Sequence, residues 1–307
     1  MIFVVVAIIL VYILNNNEKL NDYYLQSLLV GWERNSLFLL VALLLVPVNW
    51  SLEAHKWKFL IRNIERISFI HALESVLIGV SMGFVTPHSL GDYVARIFTL
   101  TIPERAKAIG AVFLCRISQF YITLWFGSAS LVVYLFMVLQ QSDTTFFVFV
   151  LFTIFNNIVF ITIFIFHKRI LRLLLTYEPT KKLFFYFEVI GAYTFKEVNF
   201  VLFLSLIRYC VFCFQFMLIL SFFDIEIVWW LMLSGVAFVF FVKSIVPTFF
   251  DLGIRELAAV GFLGVFYYDH QIIIFASLTL WLINLVIPSI IGLFLLYKMK
   301  LFNKEKV

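Results

Sequence analysis

Two short stretches of this chain carry the residue types that hold an anion inside a membrane. The first reads Thr86-Pro87-His88-Ser89-Leu90-Gly91-Asp92-Tyr93-Val94-Ala95-Arg96. The second reads Val246-Pro247-Thr248-Phe249-Phe250-Asp251-Leu252-Gly253-Ile254-Arg255-Glu256. Each follows a long apolar run and brings Pro, Gly, a carboxylate and Arg close together. In hydrocarbon every backbone N–H and C=O needs a partner, so a broken helix survives only inside protein or beside water. Ionisable groups at that depth are costly and mark functional sites.

In the first stretch Pro87 removes a backbone donor and ends the helix before it. Gly91 permits tight or left-handed backbone. Asp92 stands where a cap or first-turn acid would precede a helix over 93–100. Arg96 follows one turn later, at the spacing of a helical ion pair. A helix start aimed into a cavity offers N–H groups to an anion, and Arg96 would grip phosphate with two donors. The alternative is an Asp92–Arg96 pair that only caps an interfacial helix.

The second stretch repeats the logic. Pro247 ends one half-helix, Gly253 frees the turn, Asp251 is placed to cap the helix that starts at Ile254, and Lys243 lies one turn before the proline. Arg255 and Glu256 are neighbours that point to different faces, which argues against a simple adjacent pair. An interfacial loop reaching for water is the other reading. Arg116 and Arg208 lie deep in long apolar runs and are expected to face the bundle interior. They form either a cationic path for headgroups or ion pairs with Asp92, Asp251 or Glu256. Glu74, His71, Glu53, His55, Trp50 and Trp57 read as interfacial anchors.

Other chemistry finds no support. The sequence has no Walker-type loop, HExxH or Cys/His ligand set, so no cofactor or metal is expected. Cys115, Cys210 and Cys213 all lie in apolar runs and read as small buried hydrophobes.

The elements that must position these groups follow from composition. The chain is 64% hydrophobic and 13% charged over 307 residues, far from the roughly one-quarter charged of a soluble domain. Solidly apolar runs at 108–139, 145–166, 198–222 and 272–297 are long enough to cross a bilayer and lack the alternation of a β-barrel. No folded polar domain offers a basic face, so nucleic acid is not a partner.

The basic residues cluster at Lys56, Lys58, Arg62 and Arg66; at Lys168, Arg169, Arg172, Lys181 and Lys182; and at Lys298, Lys300, Lys304 and Lys306. The positive-inside rule puts all three clusters, and both termini, in the cytoplasm. A first helix over 1–14 goes out, residues 15–35 form a polar outer loop, and a second helix returns from Ser36. The segment 72–105 is too short to cross and reads as a hairpin entering from the cytoplasm. Two spans follow, then an amphipathic cytoplasmic linker at 167–197 with a surface-lying piece at 183–193. The 229–267 unit reads as a hairpin from the outer side. The expectation is one all-α polytopic membrane domain over 1–307, in approximate halves 1–140 and 141–307. It has about six transmembrane helices and two re-entrant broken-helix hairpins, arranged as an inverted repeat around a site near the midplane.

At this point the residues resemble a known family, the transmembrane region of lysylphosphatidylglycerol synthase/flippase proteins. The resemblance rests on Lys56-Trp57-Lys58-Phe59-Leu60, on Thr86-Pro87 with Gly91-Asp92 and Arg96, on the helix around Arg116, and on Pro247 with Leu252-Gly253-Ile254-Arg255-Glu256. Gln119 and Cys115 depart from the acids common at their positions. The resemblance implies helices with re-entrant pieces and movement of lipid headgroups between leaflets. Bifunctional members carry a soluble aminoacyl transferase after this region; the chain ends at Val307, so that activity is not carried over.

The expected function is a bacterial inner-membrane lipid translocase of the flippase type, not an enzyme. It would bind an anionic or polyprenyl-linked phosphate headgroup between the two breaks. Arg96 and Arg255 would neutralise phosphate, Asp92, Asp251 and Glu256 would orient them, and Gly91 and Gly253 would let backbone approach. The rival readings are a partner that scaffolds a glycosyltransferase or lipid synthase and a membrane enzyme acting on a lipid phosphate. A second copy of the chain, as a homo-oligomer, is a further candidate partner.

Overall fold

The computed structural model describes residues 18–86, 89–102, 105–139, 142–177, 185–246 and 252–304. All regular structure among them is helical. Five helical segments are long and apolar enough to cross a membrane: Asp22–Ile61, Arg105–Met137, Thr144–Ile165, Phe195–Phe222 and His270–Met299. They account for five of the six expected crossings; the sixth, at 1–14, lies outside the described residues. The protein is an integral membrane protein.

Helix α1 (Glu18–Ile61) differs from the expected loop and short span. It is already helical at Glu18, with non-helical backbone at Asn35. The polar residues that suggested a loop are instead satisfied by the rest of the bundle. The Tyr23 hydroxyl donates to Asp269 at 2.5 Å, Tyr24 meets Thr279 at 3.0 Å, and the Asn35 amide donates to Asp224 at 2.5 Å. Tertiary partners thus outweigh local polarity.

Helices α2 (Phe69–Phe84) and α3 (Leu90–Phe98) form the first broken hairpin. Ser68 caps α2 by accepting from the His71 N–H at 3.1 Å, the role Ser fills at helix starts. Pro87 and His88 lie outside the described residues. The left-handed residue beside the break is Ser89, with φ 54°, and not Gly91. Gly91 serves close approach: a Cβ there would lie 2.2 Å from the Met82 carbonyl oxygen of α2.

Helices α4 (Ile109–Met137) and α5 (Asp143–Ile165) follow, α4 preceded by a 3-10 turn at Arg105–Ala108. Along α5, Phe147, Leu151, Phe152 and Phe155 are exposed, as expected of a lipid-facing helix. The linker holds α6 (His167–Thr176), a 3-10 turn at Phe185–Phe187 and α7 (Val189–Ala192). Of the surface piece expected at 183–193, the described residues 185–193 hold two short turns. Its last residue, Tyr193, is buried and donates its hydroxyl to the Leu60 carbonyl.

Helix α8 (Phe195–Phe222) starts with a capping box between Thr194 and Glu197 and packs along α1. The second hairpin is α9 (Trp229–Ile245) and α10 (Ile254–Leu263), which pack on each other. Pro247 and Asp251 lie outside the described residues. Gly253 has φ 93°, a conformation that favours glycine.

The last span joins α11 (His270–Trp281) to α12 (Ile287–Lys304) through a π-helical turn at Leu282–Val286. Pro288 has no N–H for the Asn284 carbonyl, and its ring would crowd that carbonyl in a regular α-helix. The wider turn relieves both. Helix α12 packs on α2, where the Ser81 hydroxyl donates to the Ser289 carbonyl at 2.6 Å.

After α1 the chain turns at Glu65, which ties down the segment following α3. Its carboxylate accepts from the Thr101 hydroxyl at 2.6 Å and the Thr101 and Ile102 N–H groups at 3.0 and 3.4 Å. Partial burial pushes this carboxyl up, but the Thr101 and Ile102 bonds outweigh it and hold it below its ordinary 4.5. A depressed carboxyl gives stability that is present above the unfolded-state value and lost as pH falls through the folded one. Melting in detergent from pH 7 to pH 3 should therefore show a loss below about pH 4.5 that is smaller in Glu65→Gln. Equal pH profiles for the two proteins would contradict this.

Candidate functional site

Both breaks open on one cavity of about 620 Å³. From the first come Gly83, Thr86, Ser89 and Arg96; from the second, Lys243, Ser244 and Arg255. Arg116 and Arg208 line the same wall with Glu53, Gln119 and Asn284.

The hub of the charged wall is Glu53, on α1. Its carboxylate meets Arg96 Nη2 at 2.9 Å, Lys56 Nζ at 3.0 Å and Arg208 Nη1 at 3.1 Å. Asp92 forms a second node, meeting Arg96 Nε at 2.8 Å and Arg116 Nη2 at 2.5 Å. Arg96 is thus shared by two carboxylates, and the chain of charges runs Lys56 and Arg208 to Glu53, Arg96, Asp92 and Arg116. Four cations stand against two carboxylates in this cluster. The formal surplus is two positive charges.

Neutral groups complete the shell. Arg208 Nε donates to Asn49 Oδ1 at 2.9 Å and Nη1 to Gln119 Oε1 at 3.4 Å, and the guanidinium lies 5.1 Å from the Trp50 and Phe212 ring centres. Lys56 donates to the Ser205 hydroxyl at 3.2 Å. The Cys115 thiol donates to Glu53 at 3.4 Å.

Exposure separates structural from available cations. Arg96 keeps 1% of its side chain open and Arg208 10%, whereas Arg116 keeps 35%. A buried ion pair stripped of one partner is strongly destabilised, so Arg96 is committed to holding the fold. Arg116 is held by Asp92 on one side and faces the cavity on the other.

Several expectations are corrected. Of the two places expected for Asp92 it takes the second, the first turn of α3; the cap residue is Ser89, whose side chain makes no capping bond. Its carboxylate is taken by arginines, and Thr86 Oγ1 accepts the Gly91 N–H at 2.7 Å. That uses one of the N–H groups expected to face an anion.

Arg255 and Glu256 do form an adjacent pair. Their side chains meet directly, with Arg255 Nε also 2.8 Å from the Ser277 hydroxyl. The Arg side chain is long enough to fold back across the angle between neighbouring helical positions. Glu256 Oε2 also accepts the Gly253 N–H at 2.7 Å, closing the start of α10. The Arg255 charge is therefore met by its neighbour in the same helix.

Glu53, Trp50 and Trp57 are buried, not interfacial, and Lys56 belongs to the core and not to the cytoplasmic cluster. Cys210 is exposed while Cys115 and Cys213 are buried.

Residues 1–292 match the family described as Lysylphosphatidylglycerol synthase TM region, and the chain belongs to that family. The matched part is the membrane region, and membership points to lipid metabolism or translocation. No curated protein and no solved structure matches the chain.

Proposed function

We propose that this member of that family moves an anionic lipid headgroup between the leaflets of a bacterial inner membrane, with both termini in the cytoplasm. The observation that carries the reading is the cation surplus around the shared cavity, with Arg116 half free to meet a ligand. A headgroup phosphate entering the cavity competes with Asp92 for the Arg116 guanidinium, whose planar fork suits phosphate. The ligand's charge replaces part of the carboxylate's, so the arginine never faces hydrocarbon alone. The remaining arginines are too enclosed for direct contact and act through the field they add.

Both breaks take part by different means. The first supplies charge through Arg96 and Asp92. The second supplies a neutral, capped helix end beside Lys243 and Arg255, and rocking of α9–α10 against α2–α3 would expose the cavity to each side in turn. Gly91 lets α3 approach α2 and Gly253 takes the left-handed turn before α10, with Pro87, Pro247 and Asp251 in the breaks themselves.

The test is leaflet exchange in proteoliposomes with a labelled anionic phospholipid, read by dithionite quenching. Wild type should exchange the lipid above protein-free vesicles, and Arg116→Gln should slow it about 10-fold or more, the loss of one charge-assisted contact. Exchange at the protein-free rate in wild type, or an unchanged rate in the folded variant, would overturn the reading.

A further inference from the structure

The basic linker helps to build a second cavity, of about 700 Å³, which shares no lining residue with the first. Its walls come from separate parts of the chain. Asn63 and Ile64 follow α1, Lys107 belongs to the turn before α4, and Lys168, Leu171 and Arg172 lie on α6. The turns at 185–192 close it with Tyr186 and Glu188. Packing fixes these walls to one another. The His167 ring bonds the Phe164 and Tyr193 carbonyls at 2.8 and 3.2 Å. A Cβ on Gly191 would lie 3.1 Å from Leu171 Cδ2, and one on Gly110 of α4 would lie 2.8 Å from Val189 Cγ1.

The charge in this cavity is one-sided. Among its described lining residues, three cations stand against one carboxylate, Glu188. Lys168 and Arg172 are exposed and sit one turn apart on the same face of α6, where like charges repel. Neither joins an ion pair among the described residues. Helix α6 gains nothing from that pair on its own. Membrane topology asks for basic residues on this side, but not for their convergence on one cavity. An anion between them would turn the repulsion into attraction, and the Arg172 fork suits phosphate.

The position favours a lipid as the source of that phosphate. Lys168 follows Ile165, where the α5 span ends, and Asn63 follows Ile61, where the α1 span ends. The cavity therefore lies at headgroup height. Leu173, Tyr177 and Phe185 stay exposed beside it, as expected of a surface-lying segment with its apolar groups in the interface. Its volume is that of a small-molecule site and leaves room for a whole headgroup.

We infer that this cavity is a second anion site, in which Lys168 and Arg172 hold the phosphate of an anionic headgroup as a resident ligand, not as cargo. A phosphate there ties α6 to the turn that leads into α4. Basic pockets at the cytoplasmic ends of spans bind lipid phosphates in this way. The inference stands apart from the transport reading, because the two cavities share no residue.

The experiment measures binding of short-chain phosphatidylglycerol, short-chain phosphatidylcholine and inorganic phosphate to the full chain in detergent. Every protein carries Arg116→Gln, which weakens the first cavity. Adding Lys168→Gln and Arg172→Gln should weaken phosphatidylglycerol about 10-fold or more, the loss of charge-assisted contacts. Phosphatidylcholine should bind weakly with or without them. Glu188→Gln should tighten phosphatidylglycerol about 2-fold, a gain that a purely structural role would not give. A loss with the lipid alone assigns the site to a membrane headgroup; a loss with inorganic phosphate as well assigns it to phosphate from either source. Melting without ligand checks that the variants fold, and either single substitution carries the comparison if the double one does not. Unchanged affinity for both anions on losing the two cations overturns the second site. So does phosphatidylcholine binding as tightly as phosphatidylglycerol, or no binding to the Arg116→Gln parent. None of these results decides leaflet exchange, which is read separately in vesicles.

Discussion

Replacing Glu53 by Gln is expected to cost about 3–5 kcal/mol of stability, the penalty for leaving buried charges without their partner. Glu53 is the point where Lys56, Arg96 and Arg208 converge, and it is 2% exposed. Gln keeps the shape and removes the charge, so packing is not at issue. Without the carboxylate, Arg96 keeps Asp92 as its anionic partner among the described residues, and Arg208 and Lys56 keep the neutral partners Asn49 and Ser205. Thermal melting in detergent checks the effect. A melting curve for Glu53→Gln that overlays wild type would show that water reaches these cations and that the cluster is not buried. Removing a cation together with the acid, in Glu53→Gln with Lys56→Met, should recover part of the loss, because the surplus of unmatched charge falls.

The second large effect is expected at Gly91. A Cβ there would lie 2.2 Å from the Met82 oxygen and 2.5 Å from its carbon, both backbone atoms that cannot rotate away. Gly91→Ala must push α3 off α2, at a cost of about 1–3 kcal/mol or more, and it moves Asp92, the next residue. The variant should lose both stability and lipid exchange. Gly261→Ala is the control. It lies in α10 with nothing within 4 Å of its Cβ, so it should be neutral or slightly stabilising through helix propensity. Equal behaviour of the two variants would show that the close approach of α2 and α3 does not matter.

Much of this arrangement is legible in local sequence. Unbroken apolar runs mark the spans, and Pro with Gly after each short run marks the hairpins. Arg96 stands one turn after Asp92, and the two do pair. The interior placement of Arg116 and Arg208 follows from their depth in apolar runs. Other features were not legible because they depend on distant chain. Glu53 and Lys56 sit in a basic stretch at the end of α1, where charge density suggests cytoplasm; packing of α8 and α2 against α1, with Arg96 reaching Glu53 from α3, buries them. The clue that existed was their spacing, three residues apart on one helix face between Trp50 and Trp57. The polar start of α1 resembled a loop because its partners, Asp269, Thr279 and Asp224, lie at the far end of the sequence. The Arg255–Glu256 contact depends on side-chain length, which helical angles alone do not report.

Recognition of headgroup charge by a cation surplus centred on Arg116, in a cavity shared by both breaks, is the proposal on which the transport reading rests. Its most direct test compares leaflet exchange of anionic phosphatidylglycerol with that of zwitterionic phosphatidylcholine in the same proteoliposomes, for wild type and Arg116→Gln. Wild type should exchange the anionic lipid faster, and Arg116→Gln should lose that preference. Equal rates for the two lipids in wild type, or a preference that survives the substitution, would contradict it.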